Sequence, residues 1–359
     1  MMRCKRVHAG VVLTRQALRS AFVTAADVAR RARVSRSAVS RAFTPGASVS
    51  ADTRRRVLQA ADQLGYRINR LASSLIQARS NLIGLVGTEL QQPFHAGLLA
   101  SISSALLADG FQCMLLNAAD VDRDVGAVMA RVLEYRVAAI VVMTGTPPAR
   151  IVEECLNNGV PVVLVNKLLP KLAVDTVVAD HATGGRMAAE QLLAAGCKRL
   201  AVVSSAARTA SLVGRIDAFQ SRARDLRIKV RLWQERSKTD YETGREAALA
   251  LLDRHDIDGV FCVSDLLALG FLDATRFDRG RRVPDDVSII GFDDIPQAAW
   301  GAYRLTTFRQ PVAELAAAVL SAIRRRTVMP FAAHGMETVP VRLVPRSTVR
   351  GLGEHGGAR

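Results

Sequence analysis

The 359-residue sequence has no run of 18 consecutive apolar residues, so no segment of it reads as a membrane span. Its first residues offer only a weak imitation of a secretion signal. The apolar stretch Val7–Leu13 is broken by His8 and Gly10 and followed by Arg15 and Arg19. Cysteine is scarce: Cys4, Cys113, Cys155, Cys197 and Cys262 are odd in number and widely spaced, with no C-x-x-C pair. That spacing excludes a disulfide framework and a zinc site, and leaves free, mostly buried thiols in a reducing compartment. No G-x-G-x-x-G follows a strand, and there is no Walker loop, H-E-x-x-H or G-x-S-x-G, so the common nucleotide, metalloprotease and hydrolase chemistries have no carrier. Acidic residues are nearly missing from one region. Residues 1–80 hold 16 Lys+Arg against 3 Asp+Glu and so carry 13 of the net +16 charges. A polyanionic partner for that region follows, and the remainder is close to neutral.

The basic region is built as capped helices. Thr24 can cap a helix over 25–32, with Asp27 in its first turn where negative charge suits the helix dipole. After Arg33-Val34, Ser35 can cap a second helix, Arg36 to Phe43. Ala38, Val39, Ala42 and Phe43 form its apolar face, and Arg36, Ser37, Ser40 and Arg41 the opposite one. A short helix with an apolar back and an Arg/Ser front, reached by a tight turn, suits the major groove, where arginine can grip guanine O6 and N7. Ser50 opens a third helix through Leu64, with Gly65 as its stop. A membrane surface is the rival partner for basic helices, but these have small apolar faces without aromatic insertion residues.

From residue 81 short apolar runs alternate with amphipathic stretches. Strands are expected at 82–86, 113–116, 138–143, 160–165, 199–203, 259–263 and 287–291, with helices at 94–108, 122–135, 149–158, 183–195, 212–225, 241–254 and 265–275. This is the pattern of two doubly wound α/β subdomains, whose loops at the carboxyl ends of the strands face a cleft.

The N-terminal landmarks Asp27-Val28-Ala29, Val34-Ser35-Arg36, Val39-Ser40-Arg41, Val49-Ser50, Thr53-Arg54, Val57, Leu64-Gly65-Tyr66, Asn69, Ala72 and Ser74-Leu75 resemble those of the lactose-repressor (LacI/GalR) family of bacterial transcription regulators. The likeness continues through Gln92-Pro93-Phe94, Gly184-Gly185-Arg186, Gly214-Arg215, Ser264-Asp265, the run Val283 to Asp294, Leu305-Thr306-Thr307 and Pro345-Arg346-Ser347-Thr348. It implies an all-α helix-turn-helix DNA-binding domain joined to a core like the periplasmic binding proteins, made of two doubly wound parallel-sheet subdomains. The expected division is a basic disordered arm at 1–22, the DNA-binding domain at 23–68, a hinge helix and linker at 69–80, the effector-binding and dimerisation core at 81–351, and a Gly-rich tail at 352–359. Within the core, subdomain one takes about 81–195 and 311–339, and subdomain two about 196–310 and 340–351. No leucine heptad follows, so a twofold homodimer is the expected assembly.

The same resemblance assigns site residues. Thr24, Ser35, Arg36, Ser37, Ser40, Arg41, Thr44, Arg54 and Tyr66 are expected at DNA, together with Asn69, Ala72 and Leu75 of the hinge. Paired Leu75 side chains would enter the minor groove at the operator centre. Arg54, Arg55 and Arg56 are expected on phosphates. In the core Phe94, His95, Arg215, Ser264, Asp265 and Asp293 are expected to hold a small polar effector, sugar or sugar-acid like. Asp293 could instead cap the helix after Pro296, and Arg215 could pair with Asp217 or Asp265. No catalytic residue, metal ligand or cofactor is expected. Three departures from the family pattern stand out. Arg33 replaces the glycine of the turn, so the turn either is not left-handed or costs ~1–2 kcal/mol. Phe43-Thr44-Pro45 replaces Leu-Asn-Gly, and Ser264 with Leu266 makes one cleft wall more apolar. The expected function is a cytoplasmic, nucleoid-associated repressor on a palindromic operator; a solute-binding protein or an enzyme on the same α/β core is the competing function.

Overall fold

The computed structural model describes residues 23–44, 46–67, 80–118, 124–169, 171–236, 238–329 and 332–352. The expected arm at 1–22, the hinge positions Asn69, Ala72 and Leu75, and residues 353–359 lie outside them. The chain divides into two compact units, residues 1–80 and 81–359.

The first unit holds three helices whose ends are fixed by local side-chain chemistry. Helix α1 (Ala25–Ala32) starts in a capping box: Thr24 Oγ1 accepts from Asp27 N, and Asp27 accepts from the backbone N–H of Thr24. It ends on Arg33, which is left-handed at φ 56° and ψ 49°. The turn thus keeps the left-handed form without glycine, at the cost of about 1–2 kcal/mol that a side chain incurs there. Helix α2 (Arg36–Phe43) is capped by Ser35, and α3 (Ala51–Leu64) by Ser50, with Gly65 left-handed at its end. Val28, Val39 and Val57 are fully buried among Ala29, Ala32, Ala42, Ala60 and Ala61. Each valine contributes roughly 1.5–3 kcal/mol, so this small core has little to spare.

The second unit contains two six-stranded sheets. Sheet one holds β1 (Leu82–Gly87), β2 (Gln112–Asn117), β3 (Ala139–Val142), β4 (Val162–Val165), β5 (Asp175–Ala179) and β11 (Met336–Val339), in the order β11-β5-β4-β3-β1-β2 and parallel throughout. Alternate residues of its strands point to opposite faces. Ile83, Leu85 and Val141 meet α4 (Pro93–Ala108) and α11 (Val312–Val328) on one side. Val86, Ile140 and Val142 meet α5 (Asp124–Leu133) and α6 (Ala149–Asn157) on the other.

Sheet two holds β6 (Leu200–Val203), β7 (Val230–Trp233), β8 (Gly259–Cys262), β9 (Ser288–Asp293), β10 (Thr307–Arg309) and β12 (Arg342–Val344), in the order β12-β10-β9-β8-β6-β7. Only the β10–β12 pair of this sheet is antiparallel. Its helices are α7 (His181–Ala194), α8 (Ala210–Asp225), α9 (Tyr241–Arg254) and α10 (Asp265–Asp273). They pack as two pairs in backbone contact. A Cβ on Gly185 of α7 would lie 2.3 Å from the carbonyl oxygen of Arg215 in α8, and one on Gly270 of α10 would lie 1.9 Å from that of Tyr241 in α9. No side chain fits at either point.

The chain passes between the subdomains three times, after β5, after β10 and between β11 and β12. One expected boundary moves. Ala188, Ala189 and Leu192 of α7 are buried in the core of sheet two, so residues 181–195 pack with the second subdomain although the range 81–195 placed them in the first. The cause is the close α7–α8 contact, which their small residues permit.

Candidate functional site

In the first unit the geometry leaves one polar face open. Arg36, Ser37, Ser40 and Arg41 are exposed along α2, while Ala38, Val39 and Ala42 are buried beneath. Among the described residues, Arg36 and Arg41 have no side-chain partner, so their guanidinium groups remain available for base edges. Ser35 is engaged at the cap and with the Ser37 hydroxyl at 2.9 Å. Thr44 donates to the Ser40 carbonyl at 3.0 Å. Tyr66 packs its ring 5.7 Å from that of Phe43. Arg54, expected on phosphates, has partners inside the unit. Its guanidinium donates to the carbonyls of Ala42 at 2.7 Å and Ala47 at 3.2 Å, tying the end of α2 and the following loop to α3. Arg55 and Arg56 also have an internal partner, Asp52, but remain exposed.

In the second unit the carboxyl ends of β4, β9 and β10 bring together a closed ring of polar side chains. Asn166, after β4, donates to Gln310 Oε1 at 3.2 Å, and Gln310 donates to Asp293 Oδ1 at 2.6 Å. Arg215 Nη1 lies 3.4 Å from the same carboxylate oxygen and donates to the Val263 carbonyl at 2.5 Å. Arg215 Nε donates to His181 Nδ1 at 3.3 Å, and His181 Nε2 donates to Asn166 Oδ1 at 3.1 Å. Arginine can only donate, so its bond fixes His181 as the neutral Nε2–H tautomer. Burial and the charges of Arg215 and Lys167 hold the His181 pKa well below the usual histidine value, which keeps the ring neutral.

Of the expected core residues, Arg215 and Asp293 meet in this ring. Asp293 does not cap the turn Pro296–Ala299, and Arg215 pairs with Asp293 rather than Asp217 or Asp265. The Arg215 guanidinium also lies 3.7 Å from the centre of the Phe292 ring, and it is 4 % exposed. Asp293 sits at φ 122°, a strained backbone that turns its carboxylate off the end of β9.

Asp265, expected at the effector, lies deeper than Arg215. It is fully buried, accepting from Thr307 Oγ1 at 2.5 Å and from Ile295 N at 2.9 Å. Burial, together with the nearby charge of Asp293, pushes its carboxyl up to about 8. It therefore positions β10 and the loop after Asp293 from behind the cleft. Ser264 is buried beside it.

Phe94 packs against the cores of both subdomains, so it bridges them from the start of α4. His95 Nδ1 is 3.2 Å from the Glu89 carbonyl, and burial with the Lys167 charge lowers its pKa. Asn166, Lys167, His181 and Gln310 were missed in the sequence. The available signal was position: each follows a strand or opens the helix after one, where an α/β sheet presents its ligands.

Residues 24–69 match the bacterial regulatory proteins of the lacI family, and residues 189–349 match a periplasmic binding protein-like domain. The chain is 32% identical to the HTH-type transcriptional regulator DegA of Bacillus subtilis (strain 168), over 81% of this chain and 87% of that one. It is 28% identical to the ribose operon repressor of Halalkalibacterium halodurans, over 92% and 98%. Among solved structures it is similar to the transcriptional regulator CelR–cellobiose complex, with TM-score 0.66 and 27% identity over 91% of this chain and 99% of that one. The lac repressor dimer bound to operator and the anti-inducer ONPF shares its fold, with TM-score 0.82 and 24% identity over 92% and 100%. A helix-turn-helix ahead of a two-sheet binding core, matched along most of a relative's length, is one protein plan, and the chain belongs to the lacI family of bacterial regulatory proteins.

Proposed function

We propose that this regulator represses transcription by binding a palindromic duplex operator as a homodimer, and that a small polar, carbohydrate-like effector in the cleft between its core subdomains sets the strength of that binding. The observation that carries the DNA-binding half is the exposed Arg36/Ser37/Ser40/Arg41 face of a capped helix, with both arginines unpartnered among the described residues. The effector half rests on a polar ring drawn from both subdomains at the carboxyl ends of their strands. The cellobiose bound to CelR and the bound ribose in a LacI family regulator of Enterococcus faecium support a carbohydrate-like ligand. A hinge segment at 69–80, with Leu75 as the minor-groove wedge, belongs to the same proposal. No helix among the described residues is long and apolar enough to cross a membrane, in keeping with a proposed cytoplasmic, nucleoid-associated place. A non-enzymatic role is proposed with it, since the matched relatives are transcriptional regulators.

The test is fluorescence anisotropy on a labelled palindromic duplex recovered by binding selection. The expected result is a preference of about 10³-fold or more over random duplex and affinity that falls steeply with salt. Equal affinity for selected and random duplex at every salt concentration would overturn the proposal.

A further inference from the structure

Lys167 follows Asn166 at the carboxyl end of β4 and is half-buried beside the polar ring. Its neighbours are already engaged. Asn166 holds Gln310, His181 and the Ala179 amide; Asp293 holds Gln310 and Arg215; Glu89 takes the Gln92 amide. Among the described residues no carboxylate or carbonyl is bonded to the Lys167 ammonium. Both imidazoles of the cleft, His95 and His181, feel its positive charge. Among the described residues the cleft therefore presents two cations, Arg215 and Lys167, and of these two only the first has a carboxylate partner.

We propose that the effector carries one anionic group, a carboxylate or a phosphate on a polyol skeleton, and that Lys167 receives it; this rests on the cleft being the effector site. An ammonium drawn out of water without a counter-ion is unfavourable, and the Lys167 pKa is lowered by burial alone. A ligand anion restores what desolvation removed. The polar ring would meanwhile offer its outer edges to the hydroxyls. A carboxylate and a phosphate make the same charge-assisted contact with a lysine, so the source must be separated by experiment.

The test uses full-length protein and matched probes: gluconate against glucose, galacturonate against galactose, and ribose 5-phosphate and glucose 6-phosphate against their neutral sugars. Thermal shift and calorimetry read the binding. The expected result is that the charged member of at least one pair binds and its neutral partner does not, the winning pair telling carboxylate from phosphate. Lys167→Met should weaken that binding roughly ten- to a hundredfold, while Lys167→Arg keeps most of it. The inference falls if no charged probe outbinds its neutral partner, or if Lys167→Met binds the charged probe as tightly as the parent. Asp293→Asn separates the two levels. Binding lost in Asp293→Asn but unaltered in Lys167→Met refutes the anion and keeps the cleft, whereas binding unaltered in both variants removes the cleft as the effector site.

Discussion

Replacing Arg54 with methionine separates two roles that look alike in a basic helix. If Arg54 gripped a phosphate, its loss would lower the slope of log K against log salt by about 0.9 and weaken binding to every sequence. The structure instead gives its guanidinium two carbonyls, Ala42 at 2.7 Å and Ala47 at 3.2 Å, one at the end of α2 and one in the loop before α3. The Ala42 carbonyl belongs to the last turn of α2, where no intrahelical amide is available. A hydrogen bond from a charged donor contributes about 1.5–3 kcal/mol, and half-exposure favours the low end, so the pair together should contribute about 2–3 kcal/mol. The three-helix unit rests on three buried valines and a layer of alanines, and so small a core rarely supplies more than ~3–5 kcal/mol. Arg54→Met should therefore bring this unit close to its unfolding midpoint. Hydrogen exchange in α1 to α3 of the full-length chain should accelerate about 30- to 150-fold. The salt slope should change by less than about half a unit, because folded molecules keep their phosphate contacts. Unchanged exchange together with a slope lowered by about one would refute this assignment.

Arg36→Ala and Arg41→Ala should each cost ~1–3 kcal/mol on the preferred operator and relax one base pair of its consensus in a selection assay; an unaltered consensus in both would exclude them from base reading. Asp293→Ala should leave operator affinity intact while abolishing its response to effector, read as anisotropy on titrating ligand. A normal response would place the ligand elsewhere. Asp265 gives a pH signature. Its folded carboxyl is raised to about 8 from an ordinary 3.8, so the native core holds a proton that the unfolded chain has released. That stabilisation is complete below about pH 4 and is lost as pH rises towards 8. Urea midpoints measured from pH 5 to 8 should fall, and Asp265→Asn should flatten the trend. An equally steep trend in the variant would remove Asp265 as its source.

What was readable in the sequence and what was not divide along a physical line. Thr24, Ser35, Ser50 and Gly65 mark helix ends through bonds to backbone groups three or four residues away, so their meaning is local. The long apolar strands of both sheets announce themselves by composition. Strands β10 and β12, three residues each, are too short to show any period, and β5 opens on a buried aspartate, Asp175, paired with Arg326. The polar ring was half legible. Arg215 and Asp293 came from resemblance, but Asn166 and Gln310 lie 144 positions apart, on different subdomains, and meet only because the ends of β4 and β10 face one another. Sequence carries the charge of Asp265 but not its depth. The left-handed turn at Arg33 shows the converse: the backbone held its form without the residue that makes it easy.

Two helices that touch through their backbones cannot slide past one another as two helices cushioned by leucines can. The contact of Gly185 with the Arg215 carbonyl joins α7 and α8 at the residue whose side chain reaches the cleft. A displacement of Arg215 is thus also a displacement of His181, which begins α7 where the chain leaves β5 of the other sheet. The α9–α10 pair, in contact at Gly270, gives the far side of the same subdomain a similar stiffness. A ligand pulling on that arginine would turn the second subdomain as a solid lever with its pivot at the three crossings, and little of the pull would be absorbed by bending helices on the way.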